Sequence, residues 1–129
     1  MTLATYIDRC RNLPFQWGVF DCLTFADGAY HAHNHKHFAD DWLGGYTTER
    51  GALKAYLQGK GEFASFVEAL DERLERLDTL HPPVGCVAFR PDDGPLGGAF
   101  GITLPHSVAG VAEDGLRFIP HGQNEYYWR

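Results

Sequence analysis

The side chain best suited to covalent chemistry in this sequence is Cys22, within PFQWGVFDCLTFADGAY at residues 14–30. Its position reads as the first turn of a helix, where unpaired amides and the helix dipole favour a thiolate. Acyl transfer would also need a base, usually histidine, oriented by a third polar group. By type the candidates are His81, His106 and His121, together with His31, His33, His35 and His37 of HAHNHKH. On a helix, His31/His35 and His33/His37 are i, i+4 pairs, a spacing that can hold a metal. No nearby cysteine or glutamate completes a ligand set, and only Asp40 and Asp41 are within loop reach. The run reads as a solvated helix end, so neither a metal nor a cofactor is expected. The acids Asp71, Glu72 and Glu75 alternate with Arg73 and Arg76, which is the charge pattern of a solvated helix face. The glycine-rich DDGPLGGAFG lacks P-loop spacing and opens no helix, so it reads as hairpin turns.

The elements that must position Cys22 follow from periodicity. Leu3, Tyr6, Ile7 and Cys10 recur at i, i+3, i+4 and i+7, predicting an amphipathic helix stopped by Pro14. Cys10 lies on that apolar stripe and reads as core. Asp21 is suited to cap a second helix, in which Cys22, Phe25, Ala26, Ala29 and Tyr30 share one face. A short helix is expected from Thr47 or Thr48 to Gly59, and another along EFASFVEALDERLERLDTL, whose apolar stripe runs from Phe63 to Leu77. From Val84 the period changes to two. VGCVAFR, GGAFGITL, HSVAGVA, GLRFIP and EYYWR read as an antiparallel meander punctuated by turns. Residues 2–77 should therefore be helical and 84–129 a sheet, giving one α+β domain over 1–129.

Composition narrows the function classes. The chain has 129 residues, a 44% hydrophobic and 14% aromatic content, and a net charge of −6 with only 11 scattered Lys and Arg. That excludes disorder and argues against a nucleic-acid or anionic-membrane surface. Three cysteines without a CxxC read as free thiols in a reducing compartment. No basic flank precedes an apolar run at the N-terminus and no apolar stretch has spanning length, so neither a leader nor membrane insertion is expected.

The order FQWGVFDCLTFADGAY, PPVGCVAF, GGAFGITL resembles the compact papain-like domain of NlpC-type cell-wall peptidases, in which Asp-Cys opens the nucleophile helix. A fuller resemblance is to a family of small phage and prophage proteins related to those peptidases and encoded among tail-assembly genes. FQWGVFDCLTF, GGYTTERGA, VGC, FGI, EDGLRFIP and YYWR follow that family's pattern in order. The resemblance implies N-terminal helices packed on a C-terminal antiparallel sheet, with Cys22 in the nucleophile's position. It also reveals a departure. Where the peptidases carry their base in His-Val-Gly-Ile, this chain reads Ala99-Phe100-Gly101-Ile102, and the orienting polar residue falls near Val111. Cys86 stands where the first strand of the peptidases has Asp. His106 lies seven residues beyond Ala99, or roughly 20 Å along a strand, far outside hydrogen-bond reach. His121 is not excluded in this way.

The expectation is a catalytically degenerate domain serving as a structural or assembly component of a phage tail, at the tail tip or baseplate hub. It would be present in the virion, and in the host cytoplasm during assembly. Its partners would be other tail proteins, met through aromatic anchors at Trp42, Tyr46, Tyr127 and Trp128. The alternative is an active cysteine peptidase or amidase on peptidoglycan stem peptides, with His121 or His106 as base.

Overall fold

The computed structural model describes residues 1–43, 46–48, 51, 66–92, 97–122 and 125–129. Among them it forms three helices and six strands, an α+β arrangement: α1 (Leu3–Cys10), α2 (Cys22–Asn34), α3 (Phe66–Arg73), β1 (Arg76–Leu77), β2 (Val87–Pro91), β3 (Gly98–Thr103), β4 (Ser107–Ala112), β5 (Gly115–Pro120) and β6 (Tyr126–Trp128). The short helix expected over 47–59, and Phe63 at the start of the third, lie mostly outside the described residues.

Helix α1 starts where Thr2 accepts the Thr5 amide, and it buries Leu3, Ile7 and Cys10, the stripe read from the sequence. Helix α2 is fixed more firmly. Asp21 caps it through the Leu23 and Thr24 amides, while the Thr24 side chain accepts the Asp21 amide, a reciprocal capping box. The two helices pack closely because Gly28 leaves room for Tyr6. A Cβ there would lie 2.2 Å from the Tyr6 hydroxyl, which donates to the Phe25 carbonyl at 3.1 Å.

The sheet is antiparallel, in the order β1-β6-β2-β3-β4-β5. Strands β2 to β5 form the expected meander. Strand β6 departs from it, returning across the sheet to pair with β2, so that Val87 faces Trp128 and Phe89 faces Tyr126. Helix α3 ends at Arg73 rather than Leu77. Arg76 and Leu77 pair instead with Trp128 and Tyr127, so strand pairing overrides the helical stripe at its last turn.

Alternation divides the sheet into two faces. Val87, Phe89, Phe100, Ile102, Ala109 and Trp128 join the helices in the main core. Ala88, Val108 and Tyr127 form a small separate cluster, with Leu77 packed against it. No helix among the described residues is long and apolar enough to cross a membrane.

Candidate functional site

The turn–helix corner that carries Cys22 is built around one carboxyl group. Asp21 is fully buried, and its Oδ1 accepts the Leu23 and Thr24 amides at 3.1 and 2.9 Å. Its Oδ2 accepts the Gly18 amide at 3.0 Å and the Tyr46 hydroxyl at 2.8 Å. Gly18 holds φ of +81°, and a Cβ there would lie 2.0 Å from the Tyr46 carbonyl oxygen, so glycine is required twice over. The Trp-Gly and Asp-Cys pairs in the sequence are thus explained by a loop, a cap and a buried, fully bonded carboxyl group, independently of any reaction.

Cys22 follows the cap and is half-buried as a residue. The Phe100 amide of β3 and the amides of Cys22 and Leu23 stabilise a thiolate there. Desolvation outweighs them and, with the Asp21 carboxylate adding to it, pushes the thiol up to about 11. A group with that pKa is roughly one part in ten thousand thiolate at neutral pH. Helix position alone therefore does not activate this sulfur. Burial also pushes the Cys10 and Cys86 thiols up, and all three cysteines are free.

No histidine is a partner of Cys22 among the described residues, and the topology explains why. Helix α2 runs alongside β3 in the same direction. Its start lies by the Phe100 amide, and its end is tied by Asn34, which donates to the Gly85 carbonyl at 2.9 Å. The Gly85 amide in turn donates to the Thr103 carbonyl at 2.9 Å. Six of the seven histidines belong to that second end, and His37 lies beside Asp27 in the middle of α2. His31, His33 and His35 occupy the last turn and cap of α2. His37 accepts or donates through Nδ1 to Asp27 at 2.6 Å and stacks on His31 with ring centroids 4.2 Å apart. His106 lies in the turn between β3 and β4, and His121 bonds the Ser107 carbonyl there at 2.9 Å. His81 precedes Pro83, whose carbonyl accepts the Thr103 hydroxyl. From Phe100 to Thr103 is roughly 10 Å of strand, and Cys22 to His31 is roughly 13 Å of helix. Neither His106 nor His121 is in reach.

Ala99, aligned by resemblance with the peptidase base, is exposed and belongs to the open face of the sheet. The residues of β3 that turn toward the helices are Phe100 and Ile102. Gly98 shares their side, and a Cβ there would lie 2.5 Å from the Phe89 ring. Val111 packs against the main core from β4. Cys22 packs against the main core, with the Phe100 amide and the Asp21 carboxylate beside it. Among the described residues no group of three or more His, Cys, Asp or Glu is arranged to hold a metal.

The aromatic anchors expected at the surface require correction. Trp42, Tyr46, Tyr127 and Trp128 are 3%, 5%, 1% and 0% exposed. Trp42 lies under the Arg73 guanidinium, 4.0 Å from its ring centroid, and close to Phe66. Tyr46 bonds Asp21. Trp128 donates to Asp71 at 3.0 Å. Tyr127 donates to Glu125 at 2.7 Å and accepts the Gly122 amide. Each polar edge of these last three has an internal partner, which is how large amphipathic rings are accommodated inside a domain. The sequence reading also missed Asp27. This buried carboxylate accepts the Phe38 and Ala39 amides as well as His37, and so pins the segment after α2 back onto that helix. A lone acid on the apolar face of a predicted helix was the available signal.

The family described as Domain of unknown function (DUF6950) matches residues 1–129. The chain belongs to that family. No curated protein and no solved structure matches it. The DUF6950 match spans the capped Cys22 corner and the six strands alike, so the whole arrangement described above is the family's domain in this chain.

Proposed function

We propose that this domain is a catalytically silent, papain-like protein of the NlpC type that serves as a structural or assembly component of a phage tail. The observation that carries the silent reading is that no imidazole among the described residues is a partner of Cys22, combined with a thiol raised to about 11. A helix opening on cysteine and packed against an antiparallel strand agrees with the papain-like part of the reading. The tail assignment, at the tip or baseplate hub, rests on the sequence resemblance of FQWGVFDCLTF, EDGLRFIP and YYWR. Its partners on this reading are other tail proteins, with virion and host-cytoplasm stages.

Two measurements test it. Purified protein incubated with peptidoglycan stem peptides should release no product by mass spectrometry. Phage carrying Cys22→Ala should assemble and infect as the parent does, with the protein recovered from purified tails. Normal assembly of a Cys22→Ser phage that then fails to cross the cell wall would overturn the silent reading and favour a peptidase. Absence of the protein from both tails and tail-assembly intermediates would remove the assembly reading.

A further inference from the structure

We propose that the chain associates with copies of itself head to tail. In this contact the exposed Leu80 of one copy seats in the groove on the open sheet face of the next, with Asp78 facing Arg117. The groove lies on the side away from the helices, lined by Ala88, Ala99, Gly101, Val108, Gly110 and Ile119, and encloses about 110 Å³. Small-molecule and cofactor sites are usually about 300 Å³ or larger, whereas a cavity of about 150 Å³ takes one benzene-sized group. This groove therefore fits a single aliphatic side chain. Gly101 and Gly110 are direct cross-strand partners, so its floor has no side chains at the centre.

The rim selects the charge of the occupant. Its acid, Glu125, is 2% exposed, with one oxygen on Arg90 and the other accepting the Tyr127 hydroxyl. Arg117 is 69% exposed, and its nearest acid, Asp114, is 4.0 Å away, beyond a hydrogen bond. Among the described residues the rim thus offers a donor in Arg117 and no free carboxylate, on a chain of net charge −6. The complement is an exposed aliphatic residue with a free carboxylate beside it.

Among the described residues, Leu80 meets this description. It and Val19 are the most exposed aliphatic side chains described, at 65% and 66%. The acid near Val19 is Asp21, which is fully buried and bonded four times. The acid near Leu80 is Asp78, which is exposed and has no ion pair or hydrogen bond among the described residues. The proposed contact uses one knob and one groove per pair of copies, a heterologous geometry that closes into a ring or continues as a filament. This inference does not depend on the tail assignment.

Two complementary variants test it by sedimentation over a concentration series. Leu80→Glu removes the knob. Gly110→Leu fills the groove, and it is sterically open because a Cβ there meets nothing closer than the Phe100 carbonyl at 3.8 Å. Circular dichroism checks that both fold, and Arg117→Glu reads the groove independently should Gly110→Leu fail. The parent should form species larger than dimers. Each variant should weaken association by about tenfold or more, as loss of an anchor does. A mixture of Leu80→Glu with Gly110→Leu should stop at a one-to-one dimer, since only one knob and one groove remain between them. A parent that stays monomeric, association that survives either variant, or a mixture that stays monomeric would each overturn the proposal.

Discussion

At the scale of single residues, the molecule separates being in a nucleophile's position from being a nucleophile. The thiol of Cys22 is neutral in the fold because burial outweighs three helpful amides. Its pKa is raised on folding, so the native state holds the proton more tightly than the unfolded chain. Its contribution to stability is therefore complete below the ordinary thiol range and declines as pH rises from about 9 toward about 11. Chemical denaturation of the parent and of Cys22→Ala across that range should show the parent losing more stability than the variant. At pH 7 the same substitution should cost about 1 kcal/mol, as modest core truncations do. The aromatic residues behave in the opposite way to the expectation set by their type. Trp128→Ala should cost about 3–5 kcal/mol, visible as a large fall in the urea midpoint, because the ring is wholly buried and its N–H is bonded to Asp71. Composition could not reveal this. Trp and Tyr suit interfaces and cores equally, and for Tyr127 and Trp128 only the return of β6 across the sheet decides between them.

At the scale of elements, the start of α2 depends on Asp21 more than on any apolar contact. Asp21→Ala removes a cap and leaves the Gly18, Leu23 and Thr24 amides and the Tyr46 hydroxyl without their acceptor. A loss of about 3 kcal/mol or more is expected, since four donors buried without an acceptor exceed the loss of an ordinary cap. Asp21→Asn should recover part of it, read from thermal or urea unfolding. This cap was legible in the sequence, as were the α1 stripe and every strand from β2 to β6. These features are local: a capping residue, a period of 3.6 or 2, and turns rich in glycine and aspartate. The end of α3 was not legible, because Leu74 and Leu77 continue a helical stripe that ends only when β6 offers Arg76 and Leu77 a partner. The role of Asp27 was hidden for the same reason, since its partners Phe38 and Ala39 lie beyond the helix that carries it.

At the scale of the whole molecule, helix α2 and strand β3 run side by side, with sulfur at one end and all the imidazoles but His37 toward the other. That polarity also separates sequence alignment from geometry. Ala99 occupies the aligned position of a base, yet it belongs to the open face of the sheet. Ala99→His should therefore confer no hydrolysis of stem peptides, and a Cys22 thiol of unchanged reactivity is the expected companion result. The most direct measurement of the central claim is the pH dependence of Cys22 alkylation in the folded protein, followed by peptide mass spectrometry. The rate should rise toward an inflection near 11 and be unaltered in His106→Ala and His121→Ala. An inflection near neutrality that disappears when a histidine is removed would contradict the account and identify the missing base.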